Sequence, residues 1–260
     1  MTTGHARLAA QLYTVREFTQ TPDGLASTLE RVRAIGYTAV QLSAIGPIGV
    51  DQVRSMLDDA GLVACNTHVP FDRLQHDLPV VIDEHRTLRC RHLAVGSIDR
   101  VYRADGAAGY RRFAHEAEEI GRRLADAGMT FSYHHHGFEF ERFPGTPGTA
   151  LEIIFGETEP RYVQAELDTY WIQYGGGDPV WWIRRMERRM PVVHLKDMAI
   201  QRNEQIMTEV GTGNLNWPAI LDACRAARVE WYAVEQDVCQ RDPFESLAIS
   251  YANLALMGVE

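Results

Sequence analysis

The chain reads as an α/β protein built as a (β/α)8 TIM barrel, and three observations carry that reading. Eight short apolar runs alternate with amphipathic helical segments along 260 residues, which is the arithmetic of eight strand–helix units. No linker or low-complexity stretch interrupts them, so residues 1–260 are expected to form a single domain. Ionisable residues also gather at the C-terminal tips of otherwise greasy strands, the end at which a parallel barrel holds its site. A doubly wound open sheet is the rival. It usually carries a Gly-rich phosphate turn after its first strand, and Tyr13-Thr14-Val15-Arg16-Glu17 has no glycine.

Leu8 to Tyr13 is the first predicted strand. Thr21-Pro22-Asp23 starts a helix, with Thr as N-cap and Pro in the first turn, and the periodicity runs to about Ile35. Tyr37 to Leu42 is strand two, Val50 to Ala60 a helix closed by Gly61, and Leu62 to His68 strand three. A helix over Arg73 to Leu88 leads to strand four, His92 to Val95. The clearest helix comes next, because Tyr110, Phe113, Ala114, Ala117, Ile120, Gly121 and Leu124 share one face. Met129 to Tyr133 is strand five, Thr149 to Phe155 a short helix, and Val163 to Leu167 strand six. Asp178-Pro179 opens the next helix. Strand seven begins at Val192 and runs into His194-Leu195-Lys196-Asp197. Asn216 with Pro218 starts a helix, Trp231 to Val234 is strand eight, and Asp242-Pro243 starts the last helix, to about Met257.

A balance of 26 basic against 35 acidic residues, −9 overall, repels phosphate backbones and argues against nucleic acid as a partner. Cys65, Cys90, Cys224 and Cys239 form no CxxC, so neither a zinc knuckle nor a disulfide framework is indicated. Reduced thiols suit a cytoplasmic setting. The start of the chain, Met1 to Arg7, shows no hydrophobic signal region, and no apolar run reaches membrane-spanning length, so no membrane partner is expected. Composition leaves a homo-oligomer open.

Residues two apart on a strand share a face, so His194 and Lys196 point together while Asp197 turns away and reads as a loop residue. Asp168, His194 and Glu235 end strands six, seven and eight. Carboxylate, imidazole and carboxylate on consecutive strands are a start to a divalent metal site. Each also has a plainer reading: a turn or N-cap Asp, a core His, a solvated strand-end Glu. Strand five offers Tyr133-His134-His135-His136-Gly137-Phe138-Glu139, in which His134 and His136 share a face and Glu139 lies past the strand end. A fourth ligand is expected here. Gln41 and His68 end strands two and three, and His68 reads equally as a cap or core residue. Trp171 is a candidate wall for a sugar pocket. His76, His85, His92 and His115 read as surface or packing residues.

The run His194-Leu195-Lys196-Asp197, then Glu209-Val210-Gly211-Thr212-Gly213, Asn216-Trp217-Pro218 and Val234-Glu235-Gln236-Asp237, resembles the xylose isomerase-like TIM barrels. That group is described as sugar-phosphate isomerases and epimerases and includes inosose dehydratase and endonuclease IV. The likeness covers essentially the whole chain and is strongest from Glu166 to Pro243. It implies one divalent ion (Mn, Co, Mg or Zn) held by Glu, Asp, His and Glu from strands five to eight. Asp168, His194 and Glu235 match the last three positions, and the family's first Glu falls on His134, with Glu139 several residues later. Either imidazole replaces that ligand or Glu139 is recruited, and Glu139 is the metal-ligand expectation. The His-His-His run is similar to strand five of inosose dehydratases.

Such a site removes a proton beside a sugar carbonyl and stabilises the enediolate with the ion. Glu235 is the expected base, Glu139 or His136 the group that returns the proton, and Lys196 a partner for substrate oxygens. His68, Gln41, His134 and Trp171 are expected to bind substrate: a sugar, keto-sugar or cyclitol, without an obvious Lys/Arg cluster awaiting a phosphate. The expected activity is isomerisation or epimerisation. Elimination by a dehydratase or lyase on a keto-inositol or 3-keto-sugar is the alternative, and a non-catalytic sugar-binding barrel is the alternative of another class. Phosphodiester cleavage is disfavoured by the small number of ligands and the acidic balance.

Overall fold

A computed structural model describes residues 7–259, so the Met1 to Ala6 stretch, where a signal region was sought, lies outside the described residues. The strands are β1 (Arg7–Gln11), β2 (Ala39–Leu42), β3 (Val63–Thr67), β4 (His92–Val95), β5 (Thr130–His134), β6 (Gln164–Asp168), β7 (Val192–Leu195), β8 (Asp197–Gln201), β9 (Glu204–Thr208) and β10 (Trp231–Val234). All but β8 and β9 form one sheet in the order β3-β2-β1-β10-β7-β6-β5-β4, with parallel pairing throughout. The two edges meet at a parallel bridge between His68 and Ala94, where the Val69 N–H donates to the Ala94 carbonyl at 2.9 Å. The sheet thereby closes into the (β/α)8 barrel, and every predicted barrel strand is present within a residue or two at its ends.

Inside the barrel, Ala9, Ala39, Cys65, Val192, Trp231 and Ala233 form a separate apolar cluster. Three alanines leave room for one indole, so large and small side chains share the layer. Above it the interior turns polar, with Gln11, Gln41, Asn66, Glu166 and His194 all fully buried. The larger apolar cluster lies between the sheet and the outer helices.

One register defect shapes the mouth of the barrel. Val40 pairs with Ala64 but Gln41 pairs with Asn66, so Cys65 is an extra residue. Cys65 belongs to the inner apolar cluster, yet Asn66 also reaches inward to Glu166. Strict alternation would forbid two neighbours facing in; the bulge permits it and re-aims Asn66 and His68 toward the mouth.

The helix predicted from the Tyr110–Leu124 stripe spans Gly106–Asp126 and buries that set of residues. Gly121 belongs to the stripe for a steric reason: a Cβ there would sit 2.2 Å from the Tyr162 carbonyl oxygen. Gly121→Ala is therefore expected to lower stability by about 1–3 kcal/mol through overpacking, read as a drop in the urea midpoint at unchanged slope.

The helix predicted over Arg73–Leu88 is two helices, Phe71–His76 and Leu78–Leu88, because Pro79 can occupy only a first turn and Asp77 becomes the junction. Asp197, read as a loop residue, instead opens an antiparallel hairpin of β8 and β9. Tyr13, read into strand one, instead falls in a 3-10 segment, Leu12–Phe18. Among the described residues no helix is long and apolar enough to cross a membrane.

Candidate functional site

Register brings the strand tips together. Asp168 of β6 pairs with His194 of β7, and His134 of β5 with Glu166 of β6. His194 also pairs with Ala233 of β10, two residues before Glu235. One potential ligand atom from each of His134, Asp168, His194 and Glu235 lies within 4.8 Å of the others, and all four residues are buried. His68, His134, Glu166 and His194 form a second such set that shares His134 and His194.

Hydrogen bonds fix these side chains from behind. Gln11 Nε2 donates to Glu235 Oε1 at 2.7 Å, and the Tyr13 N–H donates to Gln11 Oε1 at 2.6 Å. His194 Nδ1 lies 2.9 Å from Glu235 Oε2, and its Nε2 lies 2.9 Å from Gln41 Oε1 and 3.2 Å from Glu166 Oε1. Glu166 also meets His68 Nε2 at 2.8 Å and accepts from Asn66 Nδ2. Ser43 Oγ completes that chain 3.1 Å from His68 Nδ1. Lys196 Nζ sits 3.0 Å from Asp168 Oδ2, 2.8 Å from Glu235 Oε2 and 2.9 Å from Asp237 Oδ1.

Three carboxylates thus converge on one permanent cation, Lys196, and a fourth, Glu166, lies against His194 and His68. Burial works against the charge on His194, but Glu166 and Glu235 raise its pKa to about 10. Burial likewise opposes ionisation of Glu166, yet His194 and His68 bring it down to about 2. Asp168 is pushed up to about 6 by burial, against the pull of Lys196. Glu235 is held well below the carboxylate range by Lys196 and His194 despite its burial. Without further positive charge, a proton on His194 carries part of the balance. A buried excess of carboxylate asks for a cation.

The donor chemistry fits a divalent ion. Asp168 Oδ1 caps the helix Thr169–Tyr174 by accepting from the Trp171 N–H at 3.0 Å. Asp168 Oδ2 faces Lys196 without hydrogen-bond geometry and is buried without a partner, as is His134 Nδ1. The N-cap and ligand readings of Asp168 are therefore compatible, one oxygen for each. Two imidazoles and two carboxylates suit Mn, Co or Zn better than Mg, which favours oxygen.

The site opens into a cavity of about 480 Å³ lined by Gln11, Tyr13, Ser43, His68, His134, His136, Glu235 and Asp237 among others, with no Lys or Arg. Of the residues expected from the sequence, His68, His134, His136 and Glu235 reach this cavity. Lys196 lies beneath it, and Gln41 is a support under His194 rather than part of the lining. Trp171 flanks the mouth from the side, its ring 5.6 Å from Lys196 Nζ and 5.3 Å from the His136 ring.

Glu139 is the expected site residue that the structure does not bring to the group. Its carboxylate accepts from Tyr133 OH and, at 2.8 Å, from the His136 N–H, so it closes the turn Gly137–Phe140 rather than folding into the mouth. Burial raises its pKa to about 8. A carboxyl raised above its unfolded value near 4.3 stabilises the fold fully below that pH, and the contribution is lost as pH rises through about 8. The melting temperature of the native protein relative to Glu139→Gln is accordingly expected to fall between about pH 5 and pH 9; a constant difference would refute the buried neutral carboxyl.

The sequence places Glu166 beside Asp168 at the tip of strand six without assigning it a role, and it does not single out Asn66, Gln11 or Asp237. Glu166 was within reach, since it shares the inward face of β6 with Asp168. Asn66 was not, because only the bulge turns it in. Asp197 was underrated: it is fully buried and accepts from the N–H groups of Met198, Gly211, Gly213 and Leu215 and from Trp217 Nε1.

Residues 29–245 match the family model described as xylose isomerase-like TIM barrel. Among curated proteins, inosose dehydratase of Lacticaseibacillus casei is 26% identical over 155 residues, covering 52% of this chain and 50% of that protein. The chain thus spans about half the length of the inosose dehydratases it matches. The rhizopine catabolism protein MocC of Rhizobium meliloti is 24% identical over 282 aligned positions, 90% of this chain and 82% of that protein. Among solved structures, a sugar phosphate isomerase/epimerase from Parabacteroides distasonis superposes with a TM-score of 0.82 at 24% identity, covering 99% of this chain and 96% of that one.

Proposed function

Because the chain belongs to the xylose isomerase-like TIM barrel family, we propose that it is a divalent-metal-dependent isomerase or epimerase of an unphosphorylated sugar or polyol, working by removal of a proton beside a carbonyl. The observation that carries this reading is the buried group of His134, Asp168, His194 and Glu235, whose carboxylates outnumber the fixed cation beside them. These four residues would hold the ion. When bound, the ion supplies Lewis-acid polarisation of the substrate carbonyl and charge stabilisation as the proton leaves.

The remaining work belongs to the chain's own groups. Glu235 is ionised and lines the cavity, so it can take the proton, with Gln11 holding its other oxygen. His136 lines the cavity as a neutral imidazole, its pKa brought to about 3 chiefly by burial, and can relay a proton to the other face of the reacting carbon or to the carbon beside it. Lys196 holds Asp168 and Glu235 in place and concentrates positive charge near the developing oxyanion. The lining contains Asp99, Asp237 and Glu235 and no basic side chain other than histidine, which favours hydroxyl groups over a phosphate.

A second reading is elimination of water from a keto-inositol or 3-keto-sugar. It is favoured by the curated relatives named inosose dehydratase and by the removal of Glu139 from the mouth, which leaves strand five with imidazoles in place of a second carboxylate. Incubating the Mn²⁺- or Co²⁺-loaded protein with unphosphorylated ketoses, inososes and 3-keto-sugars, with NMR of the products, separates the two. Isomers or epimers of unchanged mass support the first reading, and loss of one water supports the second. Turnover of phosphorylated sugars alone would contradict the assigned substrate class.

A further inference from the structure

The opposite end of the barrel carries a second, chemically inverted cavity. About 280 Å³ in volume, it is lined by Arg91, His92, Thr130, Gln164, Arg188, Met190, Pro191, Arg228 and Glu230. These residues open β4, β5 and β6 or lie in the loops entering β7 and β10, so the cavity is the basal mouth, remote from the strand tips that hold the carboxylates. In a chain of net charge −9, three guanidiniums face one carboxylate here.

The polar groups of this cavity are largely unspent. Glu230 is taken by Arg91. Arg188 has only Glu187 at 3.8 Å, and Arg228 has no ion pair or side-chain hydrogen bond among the described residues. Neither the Thr130 hydroxyl nor the Gln164 amide makes a side-chain hydrogen bond there. His92 is only 3% exposed, and its Nδ1 has no partner. Its Nε2 lies 3.1 Å from Arg91 Nε and 3.5 Å from Glu230 Oε2, so the imidazole's contacts are at Nε2 and Nδ1 is left unmatched. Arginines near helix C-termini answer the helix dipole, which accounts for the sign of Arg188 and Arg228 individually. It does not account for their convergence with an unpartnered imidazole nitrogen and free hydroxyl and amide groups around one open pocket.

We propose that this basal cavity binds a phosphate group. Doubly charged, tetrahedral and rich in acceptors, it matches paired guanidiniums and short polar donors, and the volume admits a small oxyanion rather than a drug-sized ligand. The site is separate from the chemistry proposed for the strand tips and does not depend on it.

Titration calorimetry with inorganic phosphate, at ionic strength held constant with chloride, tests the assignment on the whole protein. The expected result is saturable binding that weakens by at least about tenfold in the Arg188→Gln, Arg228→Gln double variant, whose turnover and melting temperature in chloride stay near those of the native protein. Both arginines have positive φ, and Gln makes the same backbone demand as Arg, so the variant changes charge rather than strain. Asp168→Asn should retain the binding. Glucose 6-phosphate distinguishes the source: tighter binding than inorganic phosphate assigns a phosphomonoester, and weaker binding assigns the free ion. Heat effects equal to those of chloride, undiminished binding in the double variant, or loss of binding in Asp168→Asn would each overturn the proposal.

Discussion

Replacing Asp168 by Asn is expected to lower turnover by at least about a hundredfold, beyond the loss typical of removing a residue that only supports a metal ligand. Stoichiometric Mn²⁺ or Co²⁺ uptake should disappear with it, while the melting temperature stays close to native. The separation of effects comes from the two oxygens. Oδ1 caps the helix Thr169–Tyr174, and Asn is as good an N-cap as Asp. Oδ2 is the buried, unpartnered atom facing Lys196 and the ligand group, and an amide there offers neither charge nor a good ligand. Metal analysis beside a thermal melt reads both halves. An unaltered metal content would return Asp168 to the role of a cap alone.

Asp197→Ala is expected to produce a larger loss of stability than Gly121→Ala or Asp168→Asn. Five donors converge on its carboxylate: four backbone N–H groups and the Trp217 indole. Each buried donor left without an acceptor costs roughly 1–3 kcal/mol, and water can reclaim the more exposed ones, so a net loss on the order of 3–5 kcal/mol is expected. The damage reaches the site, because Asp197 directly succeeds Lys196 and anchors the segment that crosses from the β8–β9 hairpin to the helix Trp217–Ala227. Urea denaturation should show a lower midpoint, with Asp197→Asn intermediate, since one carbonyl oxygen still accepts while its amide meets donors with donors.

The barrel was legible because its signals are local. Apolar runs of strand length, Thr and Asp caps before Pro, and Gly at helix ends each act within a few residues. Asp168, His194 and Glu235 were legible for a related reason: the C-terminal tip of a parallel strand has a defined place in a barrel, so three tips name one mouth. What stayed hidden depends on long-range register. Asn66 turns inward only because Cys65 is an extra residue against β2. Glu139 was expected to reach the metal, but Tyr133 OH and the His136 N–H, a few residues away, capture it first. Asp197 points away from the mouth as strand alternation requires, yet facing away led to a buried hub, not to solvent. The hairpin beginning at Asp197 has no strong turn signal in Arg202-Asn203, both of which adopt positive φ.

The central claim is that the group of His134, Asp168, His194 and Glu235 holds a cation in order to labilise a C–H bond. Incubation of the metal-loaded protein in deuterated water with unphosphorylated ketoses and inososes tests this most directly. Deuterium is expected at the carbon beside the carbonyl, in recovered substrate or product, abolished by chelation and restored by adding back Mn²⁺ or Co²⁺. Exchange that survives chelation, or a metal-loaded protein that exchanges none of these substrates, would contradict it.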